Sequence, residues 1–349
     1  MSGGVDSSVA AALLASQGHE VIGVTLRLWA PSPWAEGERY GGCCSPADLA
    51  DAKKVCQKVS FPHYTFDLEE KFKETVVDNF IGEYLEGRTP NPCVRCNSFI
   101  KFGILLKYAM TFNADYLATG HYAQIIEKDG QFHLAKAVDA TKDQSYFLYM
   151  LTQQQLSKVL FPLGGMNKSQ VRELAERFGL ANAKKEDSQD VCFLEGRSYR
   201  EFLSDHVEPV HFKKGLIKTR DGKVIGEHEG LPFYTIGQRG KLGVAAGQRM
   251  YVLEKNGDSN TLVIGTDEEN QQSGCAAHTV SWCAAQVPSA PLRASVKIRY
   301  RHPGAAATIT PLDGGRADIV FDQPQASVTA GQSVVFYEGD EVLGGGIIE

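Results

Sequence analysis

The sequence predicts an α/β domain with a parallel sheet, followed by two small β domains. Three observations carry this. The chain has 349 residues, more than the roughly 250–300 at which a single core stops growing. Strand-like and helix-like runs alternate up to about residue 205, the signature of parallel βαβ units. Beyond about residue 210, short β-rich runs alternate with turn dipeptides, as in small barrels. The expected division is 1–205, 206–269 and 270–349, with the second boundary near residues 268–274.

The elements follow in order. Ser2-Gly3-Gly4-Val5-Asp6-Ser7-Ser8 is a glycine-rich turn that runs into the helical pattern Val9–Ala15 and stops near Gly18. Such a loop normally follows a strand, so a first strand is expected upstream of Ser2. Glu20–Leu28 is β-branched and reads as a buried strand. Ser45–Val59 reads as a helix, with Ser45 as cap and Pro46 in its first turn. A short strand at Pro62–Phe66, a charged helix at Leu68–Leu85, a helix at Asn97–Tyr108 and a strand at Tyr116–Thr119 follow. Tyr122–Lys136 reads as a hairpin turning at Asp129-Gly130. Helices are expected at Gln144–Leu151, Gln153–Leu160 and Lys168–Phe178. In the β half the strand candidates are Val252–Leu253, Leu262–Ile264, Ser295–Tyr300, Ala307–Thr310 and Ser333–Tyr337.

Composition narrows the class. The chain is 43% hydrophobic and 22% charged, which is globular rather than disordered. No run of about 18 apolar residues suggests a membrane span, and no signal peptide is visible, so a cytoplasmic location is expected. The eight cysteines (43, 44, 56, 93, 96, 192, 275 and 283) are expected as free thiols with catalytic, redox or packing roles, because a chain this long does not need a disulfide scaffold.

The N-terminal loop is not a Walker A motif. Two look-alikes fail as well: Gly164-Gly165-Met166-Asn167-Lys168-Ser169 lacks the glycine before the lysine, and Gly237-Gln238-Arg239-Gly240-Lys241 lacks the hydroxyl residue. Gly3 and Gly4 allow close backbone approach, and the N–H groups of the loop and helix N-terminus suit a polyphosphate. Asp6 is acidic where phosphate would sit, so it needs Mg²⁺ or a capping role. A second constellation, Gly87-Arg88-Thr89-Pro90-Asn91-Pro92-Cys93-Val94-Arg95-Cys96-Asn97, is an ordered loop before a helix. It places Cys96 near a helix N-terminus with Arg88 and Arg95 nearby, a setting that favours thiolate. A third, Lys184-Lys185-Glu186-Asp187-Ser188-Gln189-Asp190-Val191-Cys192-Phe193, is a polar loop that delivers one cysteine. Cys56, Cys275 and Cys283 read as packing thiols, Cys43-Cys44 as structural, and Lys184-Lys185 as a solvated pair or, beside Cys192, a phosphate contact. His121 follows a strand end, where α/β sites form.

The N-terminal loop resembles the SGGxDS loop of ATP pyrophosphatases. The chain as a whole resembles the tRNA-specific 2-thiouridylases over nearly its full length. The likeness rests on SGGVDSS, Gly42-Cys43-Cys44-Ser45, RTPNP followed by CN, Ala118-Thr119-Gly120-His121-Tyr122-Ala123, Lys142-Asp143-Gln144-Ser145-Tyr146-Phe147-Leu148, DSQDVCF, Tyr234-Thr235-Ile236-Gly237-Gln238-Arg239-Gly240, Arg299-Tyr300-Arg301-His302 and Gly331-Gln332-Ser333. The resemblance implies a parallel-sheet domain of the adenine-nucleotide α-hydrolase type, a small central β domain and a tRNA-binding β-barrel. It implies ATP, with Mg²⁺, on Ser2, Gly3, Gly4, Val5, Asp6 and Ser7, with Leu26 and Gly120 in the same site. It implies a persulfide on Cys192 and a nucleophile at Cys96, which form a disulfide as sulfur leaves. Asn91, Pro92 and Cys93 would meet the target base. His121, Lys142, Asp143, Gln144, Arg299, Tyr300 and Gln332 would meet tRNA. A cysteine desulfurase or sulfur-relay protein must load Cys192, a reductant must reset the disulfide, and no membrane is involved.

One departure is Cys93, where many members carry Asp; a thiol is not an equivalent acid or base. The resulting Cys93-x-x-Cys96 could join Cys43-Cys44 in a zinc site, but that would silence Cys96, so no metal is expected. The alternatives are an amide-forming synthetase that shares the loop, and a non-catalytic RNA-binding or redox module. The net charge of −6 argues against nucleic acid only as a total. Residues 86–107 carry four basic and one acidic residue, and residues 291–303 carry four basic and none acidic, so positive charge concentrates at the proposed RNA contacts.

Overall fold

The computed structural model describes residues 1–29, 46–186, 191–244, 247–283 and 286–349. The expected features at Gly42–Ser45 and at Asp187–Asp190 lie outside the described residues.

Helix α1 (Val5–Ser16) starts directly from the glycine loop. Strands β1 (Gly23–Arg27) and β2 (His63–Asp67) pair in parallel, with Leu26 opposite Phe66, and helix α2 (Pro46–Val59) lies between them in sequence. Helix α3 covers residues 69–85 and α4 covers residues 92–111; each contains a wide turn, at Lys73–Val77 and Cys96–Leu105 respectively. Strand β3 (Leu117–Ala118) meets β6 (Val159–Leu160) in parallel. The parallel sheet therefore appears as two pairs among the described residues. Met1 lies against β1: its amino group bonds the Val24 carbonyl, and Thr25 Oγ1 donates to its carbonyl at 2.8 Å.

The hairpin at the expected place, β4 (Ala123–Lys128) and β5 (Gln131–Lys136), turns on Asp129 and Gly130, both left-handed. Two expected helices are corrected. Over 144–151 only Ser145–Phe147 makes a short 3₁₀ turn. Tyr146, Leu148, Tyr149 and Leu151 are all buried, so the segment is apolar on every side rather than along one helical stripe. Over 153–160 the helix α5 stops at Leu156 (Gln153–Leu156), because Val159-Leu160 pairs with β3. Helix α6 (Lys168–Arg177) forms as expected, and α7 (Tyr199–His206) follows with a capping box at Ser198 and Glu201.

The middle unit has strand order β8-β7-β10-β9: β7 (Gly215–Thr219), β8 (Val224–His228), β9 (Tyr251–Asn256) and β10 (Thr261–Gly265). The last unit comprises β11 (Gln271–Trp282), β12 (Leu292–Lys297), β13 (Ala305–Leu312), β14 (Arg316–Ala326), β15 (Ser333–Glu338) and β16 (Glu341–Ile348). Pairing of β11 with β16 closes these six into a barrel. The strand expected over Ser295–Tyr300 ends at Lys297, and Arg299 begins a turn whose carbonyl accepts from His302 N–H at 3.0 Å.

The first unit also lends its hairpin to the barrel. Ala135 of β5 pairs with Glu341 of β16, and His133 Nδ1 lies 2.6 Å from Glu341 Oε1. One apolar cluster unites Val94, Phe102, Leu134, Tyr146 and Leu148 with Cys283, Val335, Tyr337 and Val342. The α/β unit and the barrel thus share a core.

Candidate active site and RNA-facing surface

The N-terminal loop is built around close contacts. Gly3 has φ +69°, and a Cβ there would fall 2.4 Å from the Asp48 carbonyl oxygen. Gly120, just beyond β3, approaches so closely that a Cβ would lie 2.7 Å from Asp6 C and Ser7 N. Only glycine fits either position. Ser2 N–H donates to Ser7 Oγ at 3.1 Å, and the Ser7 and Ser8 hydroxyls donate to the Gly4 carbonyl at 3.2 and 2.9 Å. Two glycines thus precede the N-terminus of a twelve-residue helix, an anion-binding arrangement.

Four side chains from distant sequence brace this loop. Lys168 Nζ bonds both oxygens of Asp6 at 2.7 and 2.9 Å, and the Tyr122 hydroxyl donates to Asp6 Oδ1 at 2.8 Å. Asn182 Nδ2 donates to the Gly3 carbonyl and to Ser8 Oγ, both at 2.9 Å. Lys185 Nζ reaches Asp48 Oδ1 at 2.6 Å, Asp51 Oδ2 at 3.0 Å and the Gly3 carbonyl at 3.3 Å. The sequence alone did not point to Lys168, Asn182 or Lys185 in this role. Lys168 sits in a failed Walker pattern, and Lys185 reads as solvated or phosphate-facing rather than as a partner of Asp48 and Asp51. The one available signal was a lysine at the start of a capped helix after a glycine pair.

The thiols come next. Cys96 is buried within the first two turns of α4, whose N-cap Asn91 accepts from Val94 N–H at 3.3 Å. Cys192 is half-buried and opens a 3₁₀ turn that ends on left-handed Glu195 and Gly196. Cys96 belongs to an apolar cluster with Leu28, Phe72, Phe80 and Phe193, and both Leu26 and Cys192 pack against that cluster. Leu26, Cys96 and Cys192 therefore border the same apolar cluster. The cations expected beside Cys96 are committed elsewhere. Arg88 pairs with Glu83 at 2.5 Å and with Glu86. Arg95 donates to the Thr75 carbonyl at 2.8 Å and covers the Phe99 ring at 4.9 Å. Cys93 is exposed. Burial pushes the Cys275 and Cys283 thiols up to about 12 and raises Cys56, as suits packing thiols.

Gly120 leads into His121, whose Nδ1 lies 2.8 Å from Thr119 Oγ1 and whose ring packs near Phe102 and Phe161. Burial, with help from Lys101, holds its pKa well below 6.5, so His121 is a neutral ring at pH 7. Gln144 Oε1 accepts from Tyr122 N–H at 3.0 Å, linking the 142–144 turn to the phosphate loop. Asp143 is buried: Oδ1 accepts from Ala137 N–H and Ser145 N–H, both at 3.1 Å, and Oδ2 from Ser145 Oγ at 3.0 Å. Lys142 N–H donates to the Asp139 carbonyl at 3.0 Å. Lys297 Nζ lies 4.0 Å from Asp143, and Tyr300 packs on Phe147 with centroids 4.6 Å apart. The 142–144 and 299–300 segments are therefore neighbours, and Arg299 is exposed. Gln332 Nε2 donates to the Thr89 and Pro90 carbonyls at 3.0 and 3.1 Å, next to Asn91 and Pro92.

These features define a nucleotide-binding α/β domain of the pyrophosphate-loop class with two β domains attached. Family models match in the same order: a tRNA methyl transferase HUP domain over residues 1–196, a tRNA methyl transferase PRC-barrel domain over 200–266, and an aminomethyltransferase beta-barrel domain over 272–348. A tRNA-specific 2-thiouridylase from Geobacter metallireducens is 49% identical across 100% of this chain and 95% of its own length. One from Heliobacterium modesticaldum is 48% identical across 100% and 91%. The chain belongs to this family, the tRNA-specific 2-thiouridylases. A solved U34-tRNA thiolase from Methanococcus maripaludis aligns at 20% identity over 60% of this chain and 71% of its own, with a TM-score of 0.34, too distant to bear on the chemistry.

Proposed function

We propose that this chain is a tRNA-uridine 2-sulfurtransferase: it activates the 2-carbonyl of a wobble uridine with ATP and replaces its oxygen with sulfur. The observation that carries the reading is the convergence of Leu26, Cys96 and Cys192 on one apolar cluster, within a domain that begins on a phosphate-type loop. Family membership supports tRNA thiolation over the methyl transfer named in the domain descriptions. Methyl transfer needs neither that loop nor two thiols.

A uracil carbonyl oxygen is a poor leaving group, and adenylation converts it into AMP. Ser2, Gly3, Gly4, Val5, Asp6 and Ser7 would bind the triphosphate; Gly120 closes one wall, and Leu26 meets adenine. Asp6 as it stands does not fit Mg²⁺: Lys168 Nζ holds both of its oxygens at 2.7 and 2.9 Å and the Tyr122 hydroxyl a lone pair of Oδ1, so an ion brought in with ATP would rest chiefly on the phosphates. Lys168 and Tyr122 fix the Asp6 carboxylate, and Asn182 and Lys185 fix the Gly3 carbonyl, so its N–H groups stay aimed at the ligand.

The base flips out of the RNA to reach the adenylate, against Asn91, Pro92 and Cys93. The outer sulfur of a Cys192 persulfide attacks C2, and AMP leaves. Cys96 sulfur then attacks Cys192 Sγ, which releases 2-thiouridine and leaves a Cys96–Cys192 disulfide. Alternatively Cys96 attacks first and frees hydrosulfide, which attacks C2; the products are the same. The burial of Cys96 keeps water from the sulfur exchange. Loading Cys192 requires a cysteine desulfurase or sulfur-relay protein, and resetting the disulfide requires a thiol reductant. Lys142, Gln144, Arg299 and Tyr300 would line the tRNA path, with Asp143 and His121 supporting them from inside. No helix among the described residues is long and apolar enough to cross a membrane.

Pyrophosphate release from ATP tests the first half of this reaction. It should depend on tRNA with an unmodified wobble uridine and persist in Cys192→Ser. Release that ignores tRNA would contradict the reading.

A further inference from the structure

The barrel reaches into the catalytic loop. Thr89 N–H donates to the Ala330 carbonyl at 2.8 Å. Gln332 Nε2 caps the carbonyls of Thr89 and Pro90, and Asn91 Nδ2 lies 3.4 Å from Ser333 Oγ. Gly331 has φ +87°, and a Cβ there would lie 2.9 Å from both Thr89 N and Thr89 O and 3.0 Å from Arg88 Cβ. The segment 330–333 is itself fixed. Gly331 N–H donates to the Ile348 carbonyl at 2.8 Å, and the Tyr146 hydroxyl donates to the Ser333 carbonyl at 2.8 Å. The middle unit lies beside the other end of the same loop: Lys255 Cε lies 3.6 Å from the Cβ position of Gly87, at van der Waals distance, while Lys255 Nζ donates to the Tyr234 carbonyl at 2.7 Å.

This arrangement has a mechanical consequence. The loop 88–92 contains two prolines, which cannot donate, and its carbonyls at Thr89 and Pro90 find their donor on the barrel. Asn91 caps α4, and α4 carries Cys96 four residues after its first residue. Whatever sets Thr89 to Asn91 therefore sets the entry of α4.

We propose that the barrel segment 330–333 is a positioning element for the catalytic loop, with Gln332 acting on that loop through the Thr89 and Pro90 carbonyls. This rests on the thiouridylase reading for its catalytic consequence, but its structural half stands independently. Each domain then contributes to one site: the α/β unit its thiols, the barrel the placement of the loop that presents them to the base.

The test uses the full chain with Gln332→Met, which keeps bulk and removes both donors, and with Gly331→Val, which forces a Cβ into Thr89. Amide hydrogen exchange is followed over residues 88–96 and over the barrel strands. Single-turnover thiolation at saturating tRNA is measured in parallel. Expected for Gln332→Met is exchange over 88–96 faster by about tenfold, the equilibrium weight of one or two hydrogen bonds. Barrel protection should be unchanged, and the single-turnover thiolation rate at saturating tRNA should fall by a similar factor. Unchanged exchange over 88–96 overturns the proposal, even if Gly331→Val fails to fold. So does an unchanged single-turnover thiolation rate at saturating tRNA. A wild-type chain that does not thiolate tRNA would sink the functional reading, and the exchange result would still judge the positioning role.

Discussion

At the scale of the residue, the account turns on contacts that leave no room. Gly120 touches the backbone between Asp6 and Ser7, so Gly120→Val should push the phosphate loop away from its ligand. Overpacking of this kind costs on the order of 1–3 kcal/mol. ATP affinity should fall about tenfold or more by titration, with tRNA binding retained; equal ATP affinity would place the nucleotide elsewhere. The thiols divide as sharply. Cys93 is exposed, whereas burial pushes Cys275 and Cys283 up to about 12. Because the thiolate is the reactive form, brief alkylation at pH 7.5 followed by peptide mass spectrometry should label Cys93 and spare Cys283. Much of this was legible in the sequence, because Gly3, Gly120, Cys96 and Cys192 sit in short motifs. Lys168, Asn182 and Lys185 were not legible: they brace the loop from more than 160 residues away, and such pairings exist only once the chain is folded.

At the scale of the element, helices α1, α2 and α6 and the hairpin β4–β5 were readable from caps, apolar stripes and the Asp-Gly turn. Strand β16 was not. Its Gly344-Gly345-Gly346 run carries no strand signal, yet a Cβ on Gly345 would fall 2.8 Å from the Tyr149 ring, so the strand needs glycine to admit that ring. Strand β14 alternates buried Ala317, Ile319 and Phe321 with exposed neighbours, a period-2 pattern blurred in the sequence by the exposed apolar Val320. The hairpin's attachment to β16 was hidden for a physical reason: a strand edge does not name its partner. The attachment predicts co-operative behaviour. Calorimetry should show the α/β unit and the barrel melting together, because Tyr337 and Val342 complete the cluster around Phe102 and Tyr146. A chain ending at residue 269 should expose that cluster and bind a hydrophobic dye; a well-folded truncated chain would contradict the shared core.

At the scale of the whole molecule, two properties follow. The first is acid lability. Burial is the largest influence on His63, His121, His228 and His302, and it lowers each from the ordinary value of 6.5. The unfolded chain takes up protons near 6.5 that the native rings refuse, so stability is full above that pH and declines as pH falls below it. Denaturant titrations between pH 7.5 and 5.5 should show the midpoint dropping toward acid; a flat midpoint would mean that these rings titrate alike in both states. The second property is the division of labour. An overall charge of −6 conceals basic stretches at 86–107 and 291–303, one bearing the thiol and base loop and the other the exposed face around Arg299. The charge pattern and the motifs were visible in the sequence; the junction that joins them was not, because it is made of backbone carbonyls and glycine clearances. The central claim is that Cys192 carries the sulfur and Cys96 resolves it. The most direct measurement is mass spectrometry of the wobble nucleoside after incubation of purified chain with ATP, unmodified tRNA, a cysteine desulfurase and its sulfur source. The account predicts 2-thiouridine with the wild-type chain and none with Cys192→Ser or Cys96→Ser. Normal 2-thiouridine from either variant would contradict it.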